Sequence, residues 1–215
     1  MKSEEKIITT YNATAESYAA TRINELDRKP LDRLLLKEFA EVNKHKGPCA
    51  DFGCGPGHTT KFLYDCDLKN IVGVDISPEM VKVASRLFTN IKFETGNLLS
   101  LTYQANHFGS ALAFYAIVHF DYDQIAVALK EINRVLKPGA HFLFSFHVGN
   151  ETVHFDKAND IDVDIDLRFF QTSKILGSLC DNGFSIIDTI ERLHYPDVEY
   201  ASRRGYVWAE KFRVT

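Results

Sequence analysis

Three glycines at alternate positions, Gly53, Gly55 and Gly57, follow the apolar run Cys49-Ala50-Asp51-Phe52 and precede Thr59-Thr60-Lys61-Phe62-Leu63. A strand ending in such a turn and leading into a helix brings backbone close to a ligand with no Cβ in the way. The free amides of the helix start favour a negative group, a phosphate or a carboxylate. Taken alone, a glycine turn is equally a plain structural loop. The added weight comes from Asp75, which closes the apolar run Ile71-Val72-Gly73-Val74 and stands 22 residues after Gly53. A carboxylate at that strand tip can accept hydrogen bonds from both ribose hydroxyls of an adenine nucleoside. Its other reading is an acid facing the dipole of the helix that starts at Pro78. A dinucleotide fingerprint, G-x-G-x-x-G, would put its third glycine where this chain has His58, and so loses its helix-packing glycine.

Asp51-Phe52-Gly53-Cys54-Gly55-Pro56-Gly57 resembles the first motif of the class I, Rossmann-like S-adenosylmethionine-dependent methyltransferases. Val74-Asp75-Ile76-Ser77-Pro78-Glu79-Met80 is similar to that family's second motif, and Gly96-Asn97-Leu98 to the segment after its third strand. Phe114-Tyr115-Ala116-Ile117-Val118-His119 resembles its fourth-strand segment, and Arg134-Val135-Leu136-Lys137-Pro138-Gly139 the approach to its fifth. The resemblance spans roughly Tyr11 to Phe146 and points to members acting on small molecules. It implies S-adenosylmethionine as cofactor and S-adenosylhomocysteine as product. Gly53 and Gly55 would then back the methionine part, and Asp75 would hold the ribose. Ile76 and Met80 would pack near the adenine, with Asn97 and Leu98 at its edge. Asp51 would orient the binding backbone or the methionine amine, and Cys54, Gly57, Phe114 and Tyr18 complete the expected cofactor contacts. The family more often has Asp at the place of Asn97, where an amide can still accept. It commonly has a second glycine at Ala140, a turn position without chemistry. Tyr11-Asn12-Ala13-Thr14-Ala15-Glu16-Ser17-Tyr18 resembles the helical lid of small-molecule members, and Tyr11 and Tyr18 are seven apart on one helix face. Aromatic packing of the N-terminus is the alternative for this pair.

Methyl transfer from a sulfonium is an in-line displacement, so protein groups align donor and acceptor and remove a proton from a hydroxyl or ammonium nucleophile. No metal is required. Of eight histidines, His119 is best placed as base, because it follows the fourth strand, where a doubly wound fold opens its crevice. Packing or polar positioning is its other reading. His147, beyond the fifth strand, is the second candidate and a substrate-side residue with Tyr11, Arg168 and Arg203. His154 and His194 could line the same side, whereas His45, His58, His107 and His141 read as loop or edge residues. The segment Asn150 to Asp166 carries six acids and reads as a substrate-cap loop, or as a solvated loop with its charges outward. Its acids suit a cationic acceptor, and Arg168, Arg192, Arg203 and Arg204 suit a carboxylate.

The elements that must position these groups alternate short β-branched or aromatic runs with amphipathic ones, the pattern of βαβ units. Strands are expected at 48–52, 70–75, 91–95, 109–114, 140–146, 184–193 and 205–211, and helices at 59–64, 79–88 and 124–136. This describes an α/β, doubly wound, mostly parallel sheet with helices on both faces; the resemblance implies that it is seven-stranded with an antiparallel C-terminal strand, and the two last strand candidates fit that plan. The 215 residues suit one Rossmann-like domain, 1–215, with an N-terminal helical lid at 1–30 and the cap loop at 150–170.

A net charge of −4 argues against a nucleic-acid surface. The fourth-strand segment lacks the Asp/Asn-Pro-Pro-Tyr sequence of amino-methylating DNA enzymes. With no signal-like or membrane-length apolar run, a cytoplasmic protein without membrane association is expected. Four cysteines without CxxC spacing read as incidental thiols. The function expected is methyl transfer from S-adenosylmethionine to O or N of a small molecule. The alternatives are a non-catalytic S-adenosylmethionine-binding regulator, an RNA methyltransferase and an NAD-dependent enzyme on a related fold. Oligomeric state is not legible.

Overall fold

A computed structural model describes residues 3–158 and 160–213; Met1, Lys2, Asn159, Val214 and Thr215, which fall within the ranges above, lie outside the described residues. Helix α1 (Ser3–Arg22) leads through a short 3-10 turn (Glu25–Arg28) to α2 (Pro30–Asn43). Then follow β1 (Cys49–Phe52), α3 (His58–Asp65), β2 (Ile71–Asp75), α4 (Pro78–Leu87), β3 (Lys92–Thr95) and β4 (Phe108–Phe114). The second half holds α5 (Tyr122–Val135), β5 (Leu136–Val148), β6 (Thr152–Ala158), β7 (Ile161–Arg168), α6 (Thr172–Asp181), β8 (Phe184–Arg192) and β9 (Arg203–Lys211).

Seven strands form one sheet in the order β3-β2-β1-β4-β5-β9-β8. The pairings among β1 to β5 are parallel, and β9 enters antiparallel between β5 and β8. The order reverses at β1/β4, which opens the ligand crevice at the carboxyl ends of those strands.

The sheet is buried on both faces because both faces carry helices. Phe142, Phe144 and Phe146 on β5 are spaced by two, share a face and pack with Ile125, Leu129 and Ile132 of α5 and Leu179 of α6. Leu143, on the opposite face, packs with Phe39 of α2 and Leu63 of α3. Local chemistry sets the helix starts. Ser77 Oγ accepts from Met80 N at 3.1 Å with Pro78 at the first turn of α4, and Asp121 and Gln124 form a capping box on α5. Such a cap contributes about 1 kcal/mol.

The expected strands and helices recur within a few residues, except that β5 begins four residues earlier, at Leu136. The segment read as a loop at 150–170 is instead an antiparallel hairpin, β6 on β7, separate from the main sheet. Its signal was present: Ile-Asp-Val-Asp-Ile-Asp-Leu alternates with period two along β7. Asp162 and Asp164 are exposed, whereas Asp166 is half buried like Ile165 and Leu167.

Candidate functional site

The glycine turn is stitched between β2 and β4. Gly53 N donates to Val74 O at 2.7 Å. With φ +71, a Cβ on Gly53 would stand 2.4 Å from Ala116 Cβ, so any side chain there would push away the segment that follows β4. A Cβ on Gly55 would meet nothing within 4 Å, because this residue borders the open cleft. Gly57 departs from the expectation of a cofactor contact. It lies outside the cleft lining, and its missing Cβ admits the Phe93 ring, 2.7 Å from where a Cβ would be.

The cleft encloses about 1220 Å³ including its mouth. On one wall stand Asp51, Gly53, Cys54 and Gly55; on another, Asp75, Ile76 and Met80; on a third, Asn97, Leu98 and Phe114. Tyr11 and Tyr18 of α1 close it, their rings edge to face at 6.1 Å. The Cys54 thiol turns away toward β2, where its Sγ would be 3.0 Å from a Cβ on Gly73.

Asp75 carries a structural task besides lining the cleft. Its Oδ2 accepts from Gly55 N at 2.8 Å and its Oδ1 from Ser77 N at 2.9 Å, tying the glycine turn to the start of α4. Burial raises its proton affinity, and the backbone bonds from Ser77, Gly55 and Ile76 oppose that rise. Each carboxylate oxygen keeps a second acceptor site. Asp51 is buried at the end of β1, its Oδ2 accepting from Thr60 Oγ1 at 2.6 Å. Burial pushes this carboxyl up to about 7, with Asp75 adding to the rise. Asn97 spends its amide locally: Oδ1 accepts from Leu99 N and Nδ2 donates to Glu4 Oε1, both at 2.9 Å. Glu4 thereby brings an unforeseen carboxylate to this edge.

His119 lies at the far wall, hydrogen-bonded through both ring nitrogens. The Asp166 carbonyl, 2.6 Å from Nδ1, can only accept, so Nδ1 carries the proton and Nε2 accepts from the Tyr11 hydroxyl at 2.7 Å. Burial lowers the proton affinity of His119 and raises that of Tyr11 out of the physiological range.

Two expected substrate residues are elsewhere. Arg203 points outward, 2.7 Å from Glu191. His147 is packed away from the cleft, stacked on Phe169 with centroids 5.2 Å apart and taking a hydrogen bond from Arg204. Burial, then Arg204, pushes its imidazole down to about 3, so it stays neutral. Arg168 lies beside a separate cavity that also touches His119.

Several lining residues were not anticipated. His58, read as a loop residue, lines the cleft and bonds Glu25 Oε1 through Nε2 at 3.2 Å. Tyr115 stands at φ +55 beneath Lys29 and Arg204, 5.7 and 5.4 Å from its ring centre. Lys29 and Asp32 belong to a buried ion network in which Arg192 bonds both Asp32 and Glu199. Those partners are far apart in sequence, and only the strand position of Tyr115 offered a signal.

A family profile described as "Methyltransferase domain" matches residues 50–139. An uncharacterized protein of Methanocaldococcus jannaschii is 31% identical over 63% of this chain and 49% of its own. The demethylmenaquinone methyltransferase of Chlorobaculum parvum is 29% identical over 41% and 36%. The chain thus spans about half or less of the length of these curated relatives. Among solved structures, magnesium protoporphyrin IX methyltransferase from Synechocystis PCC 6803, determined with bound S-adenosylmethionine, superposes with a TM-score of 0.73 at 16% identity over 98% of each chain. A methyltransferase of Methanosarcina mazei gives 0.69 at 18% identity over 78% of this chain and 93% of its own. The glycine turn that leaves room at Gly55, the strand-tip carboxylate of Asp75 and the β3-β2-β1-β4-β5-β9-β8 order agree with these likenesses: residues 50–139 match the methyltransferase-domain family, and the chain has the fold of the Rossmann-like methyltransferases on which it superposes.

Proposed function

We propose that this chain transfers a methyl group from S-adenosylmethionine to an oxygen or nitrogen of a small-molecule acceptor. The observation that carries this reading is the Tyr11–His119–Asp166 chain of hydrogen bonds set in the wall of a nucleoside-sized cleft. The cofactor, when bound, supplies an electrophilic methyl on a sulfonium. The protein's own part is orientation and proton removal. Asp75 would hold the ribose, Gly53 and Gly55 would let backbone approach the amino-acid tail, and Asp51 would face its ammonium. Glu4 and Asn97 would frame the adenine. His119, kept neutral by burial and fixed in its tautomer by the Asp166 carbonyl, takes the acceptor's proton at Nε2, either directly after the acceptor displaces Tyr11 or through the Tyr11 hydroxyl.

Incubating the protein with methyl-labelled S-adenosylmethionine and a small-metabolite extract, and in parallel with total RNA, tests this. Label is expected in a low-molecular-mass product; label in RNA, or retained cofactor with no transfer, would replace the reading by one of its alternatives.

Two expectations concern the cofactor side. Asp75→Asn weakens S-adenosylhomocysteine binding roughly 100-fold, the loss of about 3 kcal/mol of charge-assisted bonding, as calorimetry would show. Asp51 makes binding pH-dependent. Below about 7 it holds a proton that an arriving ammonium displaces, so binding releases a proton and affinity falls up to about tenfold per pH unit on the acid side. Titrations in buffers of different ionisation enthalpy read that proton directly; affinity independent of pH would remove Asp51 from the ammonium.

A further inference from the structure

A second cavity, about 620 Å³ including its mouth, lies between the N-terminal half of α1 and the end of β7. Ile7 and His119 line both it and the cofactor cleft, so the two spaces share a wall. The far side of this cavity is fixed in place. Arg168 N donates to Val118 O at 2.7 Å, and the Asp166 carbonyl receives His119 Nδ1–H. The end of the hairpin is therefore docked on the segment that carries the candidate base.

The charges around the cavity are unevenly satisfied. Asp164 is paired with Lys6 at 2.5 Å, and Asp166 Oδ1 with His154 Nδ1 at 3.0 Å. Arg168 has only a loose contact with Asp166 Oδ2, at 3.8 Å, and its Nε is buried without a hydrogen-bond partner among the described residues. Both acids being engaged, the unmet capacity here is that of a guanidinium donor. A guanidinium fork matches a carboxylate through two parallel hydrogen bonds.

We infer that this cavity is the acceptor subsite and that Arg168 holds a small carboxylate there, presenting the acceptor's nucleophile to His119 at the wall shared with the cofactor cleft. The inference rests on the methyltransferase reading for the identity of the other compartment. It commits the acceptor to a small, polar carboxylic acid entering from the hairpin side, with Arg168 as its specificity-determining residue. A cationic acceptor would find its counter-charges, Asp164 and Asp166, already occupied.

The test uses the full chain saturated with S-adenosylhomocysteine, observed through the histidine ring resonances. The probes are acetate, propionate and benzoate, each against its amide. Carboxylates are expected to shift the His119 signals saturably and the amides not to. Arg168→Gln should remove the carboxylate shift, while S-adenosylhomocysteine affinity stays within about twofold of the parent. Arg168→Lys, which keeps the charge without the fork, should retain a weakened response. Equal shifts from acids and amides, shifts persisting in Arg168→Gln, or no carboxylate response in the parent would each overturn the inference. If S-adenosylhomocysteine fails to bind while carboxylates still shift His119, the cofactor reading falls and the anion subsite stands.

Discussion

Replacing His119 by Ala lowers kcat by roughly 10²- to 10⁴-fold, the range supplied by a positioned general base, while S-adenosylhomocysteine affinity stays within about threefold, since its ring nitrogens bond Tyr11 and the Asp166 carbonyl and are assigned no cofactor contact. The measurement is kcat and KM with the acceptor that labelling identifies. A second readout separates a base from a packing residue. Burial holds the His119 imidazole below its ordinary value. The acid limb of kcat/KM should therefore lie below the usual imidazole range and disappear in the variant. Tyr11→Phe sharpens the result. It removes the hydroxyl that bonds Nε2 and keeps the ring that packs on Tyr18. If the Tyr11 hydroxyl carries the proton, kcat falls with it; if the acceptor displaces Tyr11, kcat holds and KM changes.

Arg192→Leu is expected to cost about 3–5 kcal/mol, the cost of stranding buried partners of an ion pair, and to lower Tm by roughly 10 °C or more for a domain of this size. Arg192 donates to Glu199 at 2.7 and 2.9 Å, to Asp32 at 2.8 Å and to the Tyr206 hydroxyl at 2.6 Å. Asp32 and Glu199 side chains are each 1% exposed, so water cannot take the place of the lost cation. Urea unfolding reads the difference. The sign with pH follows from Glu199. Burial alone would raise its carboxyl, but the Arg192 hydrogen bond prevails and holds it down at about 2. Its contribution is thus present above the ordinary carboxylate value and is lost as pH falls toward 2. Replacing Glu199 by Gln in the Arg192→Leu background should recover part of the loss, because the carboxylate that has lost its arginine is then replaced by a neutral amide.

The legible parts of this protein are those determined by near neighbours in sequence. Gly53, Gly55, Asp75 and the Ser77-Pro78 helix start act through bonds that span a few residues or one adjacent strand, and their types announce the geometry. The alternation of strands and helices likewise predicted the sheet. Arg203 and Arg204 show where such reading stops. Successive residues of a strand point to opposite faces. Sequence favoured Arg203, whereas β9 turns Arg204 inward to Glu199 and His147 and leaves Arg203 at the surface. Which of two neighbouring arginines is buried depends on the register of β9 against β5, a contact between segments some sixty residues apart. His58 was missed for a smaller reason. As the first residue of α3 it follows the last glycine of the turn, and only the close approach of Glu25 draws its ring to the cleft. The β6–β7 hairpin was hidden by its own charge, since acids at alternate positions resemble a solvated loop until the intervening apolar residues are read as one face.

Helix α1 supplies Tyr11 and Tyr18 to the cofactor cleft, Lys6 to the neighbouring cavity and Ile7 to both. It is clasped to α4 by the Glu16–Arg86 pair at 2.7 Å and by the Asn12–Ser77 hydrogen bond, and to β7 by Lys6–Asp164. One helix therefore walls both spaces, so under the proposed function its displacement would release spent donor and methylated product together. The two ion pairs among these contacts are solvent-exposed, and salt weakens them. Raising ionic strength should speed product release by a single relaxation common to both ligands.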